Sequence, residues 1–191
     1  MRNHFRMLFL GLLLSLAALP QLGAQINPLV ELYGGYNYAK TTPQPAAPKT
    51  DLSGFVFGVS PFATKWFGAT FELSKQYGTI GSSNATYANA SIHESSFLAG
   101  PTFRVLNRDK VTASIKSLLG GTQGQVMLPA STASETRFTV MLGGSVDVGV
   151  NKWLAFRVEP GLFRTSFASQ NQNALRISFG PVFRFGSLPE H

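Results

Sequence analysis

Beyond the first two dozen residues, apolar positions recur at every second residue through a series of segments of about ten residues, with no run of the ~20 apolar residues a transmembrane helix needs. The clearest is the last: Leu175, Ile177, Phe179, Phe183 and Phe185 fall on one face, and Arg176, Ser178, Gly180 and Arg184 on the other. Eight such segments are predicted as strands: Leu29 to Tyr38, Leu52 to Phe62, Trp66 to Tyr77, Ile92 to Leu106, Lys110 to Gly121, Arg137 to Val150, Trp153 to Ser166 and Ala174 to Phe185.

The connections alternate in length. Ala63-Thr64-Lys65, Asn107-Arg108-Asp109 and Asn151-Lys152 are tight and polar, and Lys65, Asp109 and Lys152 are separated by 44 and 43 positions. Ala39 to Asp51, Gly78 to Ser91, Thr122 to Thr136 and Phe167 to Asn173 read as long loops rich in Pro, Ser, Thr, Asn and Gln. Short turns on one side and long loops on the other predict an all-β, eight-stranded antiparallel up-and-down transmembrane barrel, short turns periplasmic. Two internal echoes support the repeat: Gly100-Pro101-Thr102-Phe103-Arg104 against Gly180-Pro181-Val182-Phe183-Arg184, and Lys65-Trp66 against Lys152-Trp153. Trp66 and Trp153 thus follow short turns, as membrane-interface aromatics do.

Strand parity separates an apolar set, such as Phe55, Phe57, Phe71, Phe97, Phe138 and Phe156, from a mixed set of Gly, Ser, Thr and charges. A lipid-facing Arg or Lys at the midplane would cost about 2 to 4 kcal/mol, so the mixed set is assigned to the lumen. Its carboxylates are Glu31, Glu72, Glu94, Asp147 and Glu159, and its cations Arg104, Lys116, Arg137, Arg157, Arg176 and Arg184. An eight-stranded barrel has room for little besides side chains, so these charges are expected to pair and plug it, against the alternative of a narrow small-molecule conduit. A soluble lipocalin-like barrel would invert the faces and carry a water-facing set dense in Lys and Glu, which this mixed set is not. Pro101, Pro160 and Pro181 interrupt strands, and β-bulges are expected there.

Composition adds location. Arg2 and Arg6 precede the apolar run Met7 to Leu19, and Pro20 leads to Gly23-Ala24, which reads as a signal peptide over residues 1–24 cleaved after Ala24, with one domain over 25–191. No cysteine is present, which excludes both a lipoprotein anchor and disulfides. Removing Arg2 and Arg6 lowers the formal charge from +7 to +5, since no acid precedes Glu31. This balance is compatible with anionic lipopolysaccharide, and an exported location argues against nucleic acid.

The ending Ser178-x-Gly180-x-x-Phe183-x-Phe185 resembles the polar-x-Gly-x-x-aromatic-x-aromatic signal on the last strand of bacterial outer-membrane barrels. With Glu31-Leu32-Tyr33-Gly34-Gly35-Tyr36 as a Gly-Gly-Tyr first strand, the chain resembles the small eight-stranded barrels of the OmpA transmembrane and OmpX type, though Gly186 to His191 follow the terminal aromatic. The resemblance implies an outer-membrane monomer, inserted by the barrel-assembly machinery, with a structural or surface-interaction role through its loops. No peptidoglycan-binding domain follows in the sequence, which does not support an anchoring role, and no phosphate-binding loop, metal-ligand cluster or cofactor signature appears, so no cofactor and no metal are expected. His93-Glu94-Ser95 resembles the H-x-S arrangement of lipid A deacylases, but a serine hydrolase needs an acid to orient its base, and Glu94 falls on the opposite face. The predicted protein is therefore not an enzyme, with His93 and Ser95 as the sole catalytic alternative.

Overall fold

The computed structural model describes residues 27–41, 51–79, 91–108, 110–128, 131–167 and 170–188; the proposed signal peptide lies outside them. Eight strands follow in order: β1 (Val30–Thr41), β2 (Asp51–Pro61), β3 (Phe67–Thr79), β4 (Ser91–Asn107), β5 (Val111–Leu128), β6 (Ser131–Gly149), β7 (Leu154–Phe167) and β8 (Gln170–Phe185). Each pairs antiparallel with its neighbours in sequence and β8 closes on β1, giving a closed up-and-down barrel. Closure satisfies both edges of the sheet, the condition for a sheet to cross a membrane.

The period-2 alternation becomes an alternation of burial. On β3, Thr70, Glu72, Ser74 and Gln76 are buried, while Phe71, Leu73, Lys75 and Tyr77 are exposed. Around the barrel the exposed large side chains include Phe55, Phe57, Phe97, Ile115, Phe138, Leu142, Phe156, Leu162 and Phe179, a continuous apolar outer belt. Water does not tolerate an apolar surface of that extent, and hydrocarbon does.

The short turns are held by side chains that cap free backbone N–H groups. Thr64 Oγ1 accepts from Phe67 N at 2.9 Å, and Asn151 Oδ1 accepts from Trp153 N and Leu154 N at 3.0 and 2.8 Å. Such local acceptors are what Thr and Asn supply in turns.

Two expectations are corrected. The first concerns the long loops: residues 122–128 and 131–136 continue β5 and β6, leaving 129–130 between them, and β8 begins at Gln170, leaving 168–169 after β7. Both stretches carry polar residues on both parities and so read as loops, yet the ladder continues past the apolar layer. The second concerns the prolines. Register is unchanged across all three: β4 meets β5 as Ala99↔Leu119 and Thr102↔Lys116, β6 meets β7 as Gly143↔Gly161 and Val146↔Val158, and β1 meets β8 as Tyr33↔Val182 and Tyr36↔Phe179. The missing N–H opens the ladder on one side for two residue pairs, while on the other side Pro101, Pro160 and Pro181 stay paired with Ala69, Ile177 and Phe156. Adjacent glycine lets the backbones close in: a Cβ on Gly180 would lie 2.2 Å from the Gly34 carbonyl oxygen. The register shift falls instead between Arg104 and Leu106, opposite Ser114 and Ala113.

Candidate functional site

The lumen holds the chemistry. Its paired charged side chains come from seven of the eight strands, all but β2, and sort into two clusters. At the short-turn end, Arg104 pairs with Glu31 at 2.9 Å, Glu31 with Arg157 at 2.7 Å, and Arg157 grips Asp147 through two bonds of 2.7 and 2.8 Å. Asp147 also meets Arg184 at 3.5 Å. One level further in, Lys116 donates to Glu72 at 2.9 Å and stands 2.6 Å from Glu159, an ion pair whose angle is not that of a hydrogen bond. Arg176 bridges the same two carboxylates, bonded to Glu72 and 3.5 Å from Glu159. Glu72, Asp147, Glu159 and Arg176 are each 1 % exposed or less. Removing one partner from a pair so buried leaves a bare charge and costs about 3 to 5 kcal/mol.

Aromatic rings complete these clusters, and sequence reasoning did not single them out. The Arg104 guanidinium lies 3.3 Å over Phe62, Arg176 lies 4.3 Å over Phe163, and Arg157 lies 5.2 Å from the Tyr33 ring centre. Guanidinium stacks on aromatic faces while its edge keeps its hydrogen bonds. The available signal was an aromatic residue on the charged parity. Leu98, Leu118 and Met141 form a fully buried apolar layer beside them, and Met141 Sδ accepts from Arg176 Nη2 at 3.4 Å.

The structure sets Glu94 and Arg137 apart from both clusters. Arg137 bonds to Glu135, two residues away on its own strand and face. Glu94 is half-buried, forms no ion pair among the described residues, and lines a cavity of about 30 Å³ with Gln76, Thr122, Thr165 and Arg176. The far end of the lumen is otherwise held by neutral bonds: Gln76 donates to Asn37 at 3.0 Å, and the Thr139 hydroxyl meets those of Thr122 and Thr165 at 2.8 and 3.2 Å.

The outer face carries the remaining residues singled out in sequence. Trp66 stacks on Phe103 with centroids 6.2 Å apart, and Trp153 on Phe183 at 6.3 Å. Arg104 N donates to the Trp66 carbonyl and Arg184 N to the Trp153 carbonyl, both at 2.8 Å, so the two sequence echoes fold into one local structure used twice. In β8, Ser178 and Gly180 face inward, Phe183 and Phe185 outward. His93 packs edge-on against Tyr77 at 4.9 Å, and among the described residues no hydrogen bond joins it to Ser95 or to a carboxylate. That arrangement lacks the oriented base that hydroxyl activation requires. No group of three or more metal-ligating side chains occurs among the described residues.

No protein-family model matches the chain, and no curated protein does. Among solved structures, it is similar to Ail, the attachment invasion locus protein of Yersinia pestis, at 14 % identity and TM-score 0.60, covering 84 % of this chain and 100 % of that one. Neisserial surface protein A superposes at 11 % identity and TM-score 0.62, covering 82 % and 97 %. OprG, an outer membrane protein from Pseudomonas aeruginosa, does so at 8 % identity and TM-score 0.59, covering 88 % and 100 %. With the closed topology, the apolar belt and the paired lumen, these likenesses give the chain the fold of the small eight-stranded outer-membrane barrels.

Proposed function

We propose that this chain is an integral outer-membrane protein without enzymatic activity, whose ion-paired lumen is closed to solutes and whose long-hairpin end meets partners outside the cell. The pairing of buried lumen charges across seven strands carries this reading. A conducting pore needs charges that face water, whereas these face one another, and the interior of an eight-stranded barrel is filled by side chains. Lipopolysaccharide is the proposed lipid partner and the barrel-assembly machinery the proposed reader of Ser178 to Phe185, with the protein acting as a monomer.

The β5–β6 hairpin supports a surface role. Its pairing with β7 begins only at Thr139, so residues 131–138 of β6 have no β7 partner among the described residues. That edge runs roughly 20 Å along the strand. An edge that no described strand covers, above an apolar belt, is a place where another extended chain can add. The attachment and surface names carried by two of the structural neighbours point the same way.

Planar-bilayer recording of the purified chain tests the closed lumen: no steady single-channel conductance is expected, and a reproducible open level would refute it. Outer-membrane fractionation with heat-modifiable gel mobility tests location, and recovery of a soluble periplasmic protein would refute that.

A further inference from the structure

The cluster at the short-turn end is an open chain of alternating sign: Arg104, Glu31, Arg157, Asp147, Arg184. Because it begins and ends on arginine, it carries one surplus positive charge. Arginine cannot release it, since guanidinium stays protonated in proteins. Nor does water reach it freely, the Arg104 and Arg184 side chains being 1 % and 5 % exposed. The ends of the chain approach each other: Arg184 is the cross-strand neighbour of Glu31 on β1, and Glu31 is the carboxylate that Arg104 holds at 2.9 Å. Among the described residues, Arg104 Nε and Nη1 and Arg184 Nε have no hydrogen-bond partner. Beyond Glu31 and Asp147, the contacts of the two arginines among the described residues are neutral: the Phe62 ring against Arg104, the Pro28 carbonyl accepting from Arg104 at 3.1 Å and the Thr112 hydroxyl accepting from Arg184 at 3.4 Å. The neighbouring carboxylates Glu72 and Glu159 are balanced by Lys116 and Arg176 and have no charge to lend.

A buried charge without a counterion is strongly unfavourable, and two like charges at adjacent chain ends make it more so. We propose that a small monovalent inorganic anion, of the halide class, binds between Arg104 and Arg184 and completes an alternating ring of six. One negative charge matches a surplus of one, whereas a divalent anion would overshoot it. Small size suits a lumen filled by side chains.

The test uses the full chain folded in zwitterionic detergent micelles, its unfolding midpoint followed as chloride replaces gluconate at constant ionic strength. A saturable rise of about 5 to 10 °C is expected, with bromide substituting for chloride. Bromide-soaked crystals should give an anomalous peak between the two guanidinium groups. Arg184→Met removes the surplus charge, and Thr112→Asp supplies a tethered anion beside Arg184; each should abolish the chloride dependence. If Arg184→Met does not fold, Thr112→Asp decides alone. A midpoint indifferent to chloride, a non-saturating rise shared by the wild type and Thr112→Asp, or density between the arginines without anomalous signal from bromide would overturn the proposal.

Discussion

Glu72 and Gln76 stand four residues apart on one strand and one face, yet belong to unlike halves of the same lumen. Glu72 holds two cations in a fully enclosed cluster; Gln76 makes one neutral bond to Asn37 beside a small cavity. Toward the short turns the lumen is organised by charges that must all be partnered, and toward the long hairpins by amide and hydroxyl bonds that can be lost singly. The same architecture therefore holds an unforgiving half and a tolerant one.

Substitutions can sharpen or break that contrast. Glu72→Leu should cost most, about 3 to 5 kcal/mol in denaturant unfolding read by gel mobility, because Lys116 and Arg176 are left sharing Glu159. Adding Lys116→Met to that variant should recover part of the loss, and a further loss would show that the cluster does not act through charge balance. Gly54→Ala probes the tolerant half where it should fail, since a Cβ there would lie 1.9 Å from the Lys75 carbonyl oxygen; about 1 to 3 kcal/mol is expected, and a silent result would contradict the close approach of β2 and β3. Gln76→Leu should cost only about 1 kcal/mol, the scale of one hydrogen bond, and a loss matching that of Glu72→Leu would erase the distinction between the halves. Tyr33→Phe should change stability by less than about 0.5 kcal/mol, because the phenolic hydroxyl has no hydrogen-bond partner among the described residues.

The order of strands and the face each side chain takes were legible because alternation depends on the backbone alone, with one face apolar throughout the membrane layer. Arg176 could be placed inward beside Leu175 and Ile177 from this pattern without knowing any contact. What Arg176 meets was not legible. Its partner Glu72 lies 104 positions away, and their meeting depends on the shear and tilt of the closed sheet. Glu94 and Arg137 show the limit: their parity is inward, but they sit where strands rise past the paired clusters. The hairpin of β5 and β6 was hidden for a related reason. Above the apolar belt, both faces of Gln123 to Gln125 and Ser134 to Thr136 are polar, so strand and loop have the same composition. The prolines misled because a lost donor was equated with a shifted register, whereas a flanking glycine lets the ladder part and resume in phase.

The paired Trp–Phe stacks have a mechanical consequence. Trp66 on Phe103 belongs to the foot of β3 and β4, and Trp153 on Phe183 to the foot of β7 and β8, half a circumference away in a ring of eight. Interfacial aromatics resist leaving the headgroup level. A single such foot would act as a pivot about which the cylinder could rock; two at opposite points act as an axle with both ends held. We propose that both tryptophans sit at the headgroup level, so that tilt about one horizontal direction requires lifting one and sinking the other, and the same two residues set the depth of the barrel and that one inclination.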